Sequence, residues 1–299
     1  MFRVPGHPDL KRIVVINPKG GSGKTTLATN VAGFLSSTGH PAALMDFDPQ
    51  GSSLRWLQNR SGRCPEVYGI AACELDPNKT RSFQMRVPHR FRYLVIDTPA
   101  ALQAPDLADF TRGAHAILVP VLPSDIDIHA AARLVSDLLV VAKVSRRMGR
   151  LGIVANRVRE NTVGYRKLRR FVGRLSIAVV GELRDSQNYV HASELGLGIH
   201  EMPPSRVRRD LDSWMTIVDW LESRLETELT PRDLFDPRDP VRQPAPVPEP
   251  ATVEPAERDI ELPSSAGARV TRATGKSPAV TLTPGSAPPL RDSARDRAE

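Results

Sequence analysis

A chain of 299 residues that is 40% hydrophobic can bury one sizeable core, and its two cysteines, Cys64 and Cys73, are too few for a disulfide framework and read as free thiols. No apolar run reaches the roughly 18 residues of a membrane-spanning helix, and the start from Met1 to Pro8 lacks the apolar centre of a signal peptide, so membrane and secreted classes are set aside and a cytoplasmic protein is expected. The net charge of +7 is uneven: residues 143–174 hold eleven Lys and Arg against one acid, Glu160, a local excess that suits contact with a phosphate backbone.

Residues 1–11 form a short arm. Arg12-Ile13-Val14-Val15-Ile16 is a β-branched run that predicts a strand, and Leu27 to Leu35 has apolar residues at helical spacing. Between them lies Asn17-Pro18-Lys19-Gly20-Gly21-Ser22-Gly23-Lys24-Thr25-Thr26. Strand, glycine-rich turn and helix in succession make a phosphate-binding loop. Backbone N–H groups of Gly20, Gly21, Ser22 and Gly23 close around phosphate oxygens, the helix N-terminus adds partial positive charge, and Lys24 adds a full one. Thr25 offers a hydroxyl to magnesium, and Thr26 continues the cradle. The leading position of the general pattern is Pro18, not glycine; what fits is K-G-G-x-G-K-T, with an extra lysine, Lys19, at the front. The competing reading is a glycine-rich turn whose lysine is only solvated.

Gly39-His40-Pro41 ends the first helix, and Ala42 to Met45 reads as a buried strand. It delivers Asp46-Phe47-Asp48-Pro49-Gln50-Gly51 to the strand's carboxyl end, where parallel sheets place ligands. A carboxylate there can orient water in line with a γ-phosphate, because positioning and charge stabilisation dominate phosphoryl transfer; alternatively both aspartates cap the helix that begins near Ser52-Ser53-Leu54. Residues 61–90 carry little signal beyond a strand at Glu66 to Ile70 and a short helix over 80–87. Phe91 to Ile96 is a strand ending in Asp97, a residue placed either to face magnesium or to cap.

Ala114 to Pro120 predicts another strand, followed by a long helix capped by Ser124 or Asp125, with His115 and His129 read as core or surface residues and not ligands. Leu151 to Val158 is a further strand ending in Asn156-Arg157, where an asparagine suits a turn. In the basic helix from Tyr165 to Arg174, Leu168, Phe171 and Val172 point inward, and Arg166, Lys167, Arg169 and Arg170 form a DNA-contact face or a solvated one. Ile177 to Gly181 is the last strand. Arg206, Arg208 and Arg209 open the final helix, which runs to about Leu229, and are a second DNA-contact candidate. From Asp236 onward twelve of the 27 prolines and no aromatic residue occur, so residues 1–235 form the globular domain and 236–299 a disordered Pro/Ala-rich tail, a partner-recruiting segment or a spacer.

Three separated motifs occur in order at the ends of successive strands: K-G-G-x-G-K-T at 19–25, D-x-D-P-Q-G at 46–51, and Asp97. Together they resemble the ParA/MinD family of deviant Walker-A P-loop ATPases over residues 11–230. The second switch-loop proline of many relatives is Ala100 here, and Ser193-Glu194 with Gly198 keeps part of a ParA segment without its proline. The resemblance implies an α/β, three-layer P-loop NTPase fold with a mostly parallel twisted sheet flanked by helices, and ATP and Mg2+ as cofactors. It implies catalytic roles for Lys19, acting in trans in an ATP-sandwiched homodimer, for Lys24, and for Asp48 on the attacking water. Thr25, Asp46 and Asp97 are implied for magnesium, and Asn156 for adenine.

As partners the resemblance implies nonspecific double-stranded DNA of the nucleoid and a ParB-like or other cargo adaptor that stimulates hydrolysis, with no membrane. The cargo would be a plasmid, a chromosome or a protein assembly. The short arm leaves no room for the operator-binding region of many plasmid members. The alternative is a MinD-like or exopolysaccharide-system ATPase working through membrane or protein contacts. A MinD-like membrane helix is expected at the C-terminus, where this chain has a proline-rich polar tail. Cys64 and Cys73 both precede Asp97, unlike the cluster ligands of the nitrogenase iron protein, and no substrate domain of an amidoligase is visible.

Overall fold

The computed structural model describes residues 7–39, 41–175 and 177–226; the first residues of the arm, the end of the last predicted helix and the predicted tail lie outside the described residues. Short β-branched runs alternate with amphipathic stretches and become the expected strands and helices, but a helix over Ala104–Thr111 was not expected, and the short helix expected over 80–87 spans only Arg81–Gln84. They are β1 (Lys11–Val15), α1 (Lys24–Ser37), β2 (Ala42–Asp46), α2 (Ser52–Asn59), β3 (Val67–Ala71), α3 (Arg81–Gln84), β4 (Tyr93–Asp97) and α4 (Ala104–Thr111). The chain continues with β5 (Ala116–Val121), α5 (Asp125–Val140), β6 (Leu151–Val158), α6 (Val163–Val172), β7 (Ala178–Arg184), α7 (Gln187–Glu194), a 3₁₀ turn (Ile199–Glu201) and α8 (Pro204–Leu225).

The seven strands form one sheet in the order β3-β2-β4-β1-β5-β6-β7, and every pairing is parallel. All five residues of β2 are buried, as expected of an interior strand covered on both faces. Alternation along β1 divides the core: Val14 and Ile16 pack with α4, α5 and α6, whereas Ile13 and Val15 pack with α1, α2, α7 and α8. Three layers result, with the carboxyl ends of the strands along one rim. Gly181 is required where α8 crosses β7, because a Cβ there would sit 2.3 Å from Ile217 Cγ1.

α5 has its expected cap, and α6, which starts two residues before the expected Tyr165, has one as well. Ser124 Oγ accepts from Asp127 N at the start of α5, and Thr162 does the same for Tyr165 N at α6. One arginine leaves the predicted basic surface: Arg150 is buried and donates to Ala114 O at 3.0 Å, where it fastens the approach to β5. His115 is also buried and its Nδ1 accepts from Arg12 N at 3.1 Å, with burial and three nearby cations holding its pKa down to about 4. His129 is exposed and both cysteines are free thiols.

Candidate nucleotide site

Parallel register sets the site. Val15 and Asp46 both pair with Asp97, so the ends of β1, β2 and β4 stand side by side. The loop that leaves β1 is held at its base by Asn17, whose Nδ2 donates to Pro120 O at 2.7 Å and whose Oδ1 accepts from Lys19 N at 2.9 Å. Gly21 and Gly23 adopt φ of 74° and 94°, in the left-handed region. A Cβ on Gly23 would lie 2.0 Å from Asn156 Nδ2, whereas Cβ atoms on Gly20 or Gly21 would meet nothing within 4 Å. The loop is thus closed behind and open in front. No side chain caps the start of α1, so its first N–H groups remain directed at the loop, which is the arrangement that takes an anion.

Lys24 is buried, and its Nζ donates back to Lys19 O at 3.2 Å. Burial lowers its pKa, while the charges of Asp97 and Asp48 oppose that shift. Thr25 Oγ1 donates to Asp97 Oδ2 at 2.8 Å, and Ser53 Oγ donates to the same oxygen at 2.7 Å. Burial pushes Asp97 up to about 6, against the pull of these two hydroxyls. Its other oxygen, Oδ1, is buried with no hydrogen-bond partner. An unpartnered acceptor in a dry site beside a hydroxyl oxygen fits a hard cation that takes oxygen ligands. Among the described residues no cluster of three or more His, Cys, Asp or Glu could hold a metal by itself. That donor set suits Mg2+, which binds through one or two carboxylates with substrate phosphates completing its shell.

Asp46 also caps, as the competing reading had it. Its Oδ2 accepts from Ser53 N at 3.0 Å and Leu54 N at 3.3 Å, and its Oδ1 from Asp48 N at 2.9 Å. Burial raises its pKa. Asp48 is half-buried, with Oδ1 accepting from Gln50 N at 3.0 Å in a tight turn, and its charge reaches Lys24. Lys19 is paired within its own chain: its Nζ lies 2.7 Å from Asp127 Oδ1 on α5. Asp127 Oδ2 also accepts a hydrogen bond from the Ser124 hydroxyl.

Asn156 uses part of its amide on neighbouring backbone. Its Nδ2 donates to Ser22 O at 2.9 Å and its Oδ1 accepts from Arg157 N at 2.9 Å, so it braces the phosphate loop. It also lines a cleft of about 380 Å³ with Thr26, Arg184, Asp185, Gln187 and Tyr189. The fully buried Asp210 holds the wall of that cleft, accepting from Arg184 Nε at 2.5 Å and Asn188 Nδ2 at 2.7 Å.

The basic candidates are exposed but separate. Arg166, Lys167, Arg169 and Arg170 lie on α6, on one face of the sheet, and Arg206, Arg208 and Arg209 on α8, on the other. Lys167 pairs with Asp125 at 2.7 Å, and Arg159 with Asp185 at 2.5 Å. Asn17, Ser53 and Asp127 were not singled out from the sequence. Asn17 and Ser53 flank recognised motifs, and Asp127 sits three residues after a helix cap, positions whose importance depends on what the fold places opposite them.

The profile of the CobQ/CobB/MinD/ParA nucleotide binding domain matches residues 13–199, more than half of the chain. The chain is 26% identical over 172 residues to the maintenance of carboxysome distribution protein A of Halothiobacillus neapolitanus, covering 56% of this chain and 76% of that one. Among solved structures, the ATP complex of a McdA variant from Cyanothece superposes with a TM-score of 0.53 at 14% identity, covering 75% of this chain and 100% of the other. A chain of the MinC:MinD cell division protein complex from Aquifex aeolicus gives 0.53 at 18% identity, over 74% of this chain and 97% of that one. At these identities the structures speak for the fold alone. The chain belongs to the CobQ/CobB/MinD/ParA nucleotide-binding family, in its ParA/MinD branch.

Proposed function

We propose that this member of the ParA/MinD family is an ATPase whose ATP-bound dimer binds DNA without sequence preference and positions a cargo, releasing it when a partner stimulates hydrolysis. One observation carries the reading: Lys24, Thr25, Asp46, Asp48 and Asp97 converge at the rim of the sheet, with Lys19 beside them. Gly20 to Thr26 bind the phosphates. Thr25, Asp46 and Asp97 would hold Mg2+, which when bound neutralises phosphate charge. Asp48 orients water toward the γ-phosphate, and Lys24 stabilises the charge that develops there. Asn156 keeps the loop in shape at the end nearest the base. Lys19 leaves Asp127 to reach the partner subunit's nucleotide, which couples ATP to dimerisation.

The exposed arginines of α6 and α8 supply phosphate contacts, and the likeness to a protein named for carboxysome distribution supports cargo positioning. No helix among the described residues is long and apolar enough to cross a membrane. The test is binding of the purified protein to random duplex DNA with ATP, with ADP and without nucleotide. Binding should require ATP and weaken steeply with salt, and Arg166→Ala with Arg169→Ala and Arg170→Ala should lower the salt slope by about 3. Absence of ATP-dependent DNA binding, with ATP-dependent sedimentation on anionic liposomes instead, would overturn the reading in favour of a membrane switch.

A further inference from the structure

We infer that Ser53 is a positioning residue of this site, locking the Asp48 loop to the two carboxylates that face the metal. The inference rests on the proposed nucleotide and Mg2+ site. Ser53 is 0% exposed and uses both of its donors: its backbone N–H meets Asp46 Oδ2 at 3.0 Å and its hydroxyl meets Asp97 Oδ2 at 2.7 Å. Asp46 and Asp97 lie directly opposite on neighbouring strands, so one residue spans β2 and β4. Thr25 Oγ1 donates to the same Asp97 oxygen at 2.8 Å. Two hydroxyls on one oxygen fix the rotation of the carboxylate and leave Oδ1 as its remaining acceptor.

The connection to Asp48 is short and stiff. Gly51 N donates to Asp48 O at 2.9 Å, Gln50 N to Asp48 Oδ1 at 3.0 Å, and Arg55 N to Gly51 O at 2.9 Å. The turn that carries Asp48 therefore runs straight into the first turn of α2, and Ser53 is where that turn is pinned to the strands. Without the hydroxyl, Asp46 still holds the helix through two N–H groups, so the fold persists while Asp97 loses one of its two fixed partners. A side chain that orients a metal-facing group in this way acts on metal affinity and on the reacting geometry more than on nucleotide affinity.

The experiment compares Ser53→Ala with Ser36→Ala in the full chain. Ser36 is another buried hydroxyl, accepting from Ala42 N at 3.0 Å at the far end of α1, and controls for loss of a buried hydrogen bond alone. Fluorescent ATP-analogue binding is titrated with Mg2+, and hydrolysis is measured separately. Ser53→Ala should raise half-saturating Mg2+ and lower kcat, each by about tenfold, the lower end of the effect of an outer partner of a metal ligand. Nucleotide affinity at saturating Mg2+ should stay within about twofold, and Ser36→Ala should lower Tm without moving either quantity. If Ser53→Ala does not fold, Ser53→Cys, near-isosteric with a weaker donor, should shift Mg2+ dependence in the same direction. Wild-type Mg2+ dependence and kcat in a folded Ser53→Ala, or an equal shift in Ser36→Ala, would overturn the inference. A wild-type protein that binds the analogue with Mg2+ but does not hydrolyse ATP would refute the proposed activity, and the Mg2+ titration would still decide Ser53. Failure of the wild type to bind the analogue would remove both.

Discussion

Replacing Asp127 by asparagine should tighten the proposed ATP-dependent dimer. Lys19 Nζ lies 2.7 Å from Asp127 Oδ1, with the lysine side chain 34% exposed and the aspartate 5%. An exposed pair contributes at most about 1 kcal/mol and a buried one broken at one end costs about 3–5 kcal/mol, so a pair with its lysine partly in water is taken as about 1.5 kcal/mol. A dimer that draws Lys19 from both copies breaks two such pairs, about 3 kcal/mol, which corresponds to about a hundredfold in the dimer dissociation constant. Asp127→Asn removes that restraint and keeps an acceptor for the Ser124 hydroxyl, and the N-cap bond from residue 127 N to Ser124 Oγ at 3.2 Å is untouched. Sedimentation velocity with a non-hydrolysable ATP analogue and Mg2+ measures the constant directly. A dimer within about threefold of wild type in a folded variant would refute the restraint, and in a background of Lys19→Ala the Asp127 change should have no further effect.

Gly23→Ala should abolish nucleotide binding, because the added Cβ falls 2.0 Å from Asn156 Nδ2 at a residue with φ of 94°; calorimetry with ATP measures the loss, and retained affinity would show that the loop can rearrange. Lowering pH should weaken Mg2+-dependent nucleotide binding below about 6, where a proton competes for Asp97, and Mg2+ titrations at successive pH values follow this. For the nucleotide-free protein the sign is opposite: a carboxyl whose folded pKa lies above its unfolded value of 3.8 binds its proton more tightly when folded. Its contribution to stability is therefore greatest below 3.8 and is lost as pH rises through about 6, which denaturant titrations across that range detect. Asp210→Ala should destabilise the domain by about 2 kcal/mol in urea denaturation, since Ser186 and Asn188 lose their acceptor while Arg184, 41% exposed, regains water.

The order of elements, α4 apart, and the phosphate loop were legible along the chain because both rest on local rules. The β-branched run of β1, helical spacing in α1 and glycines that readily adopt φ of 74° and 94° are properties of neighbouring residues. Asp46 and Asp97 were legible for the same reason, as acids at the ends of apolar strands. The basic stretch was legible as composition but not as a surface: Arg150, counted among its cations, turns inward to Ala114 O, and the arginines of α6 and α8 lie on opposite faces of the sheet.

By itself the sequence determined the parallel α/β fold and the glycine-rich loop between its first strand and helix, since short-range spacing suffices for both. Only the tertiary structure decided what each polar group faces. It set Lys19 against Asp127, placed Asn156 behind the loop with its amide on Ser22, and brought Ser53 onto both Asp46 and Asp97. Apart from the bond of Ser53 N to Asp46, seven positions away, these contacts join residues separated by tens of positions or more, and they follow from strand order and register, which no local pattern encodes.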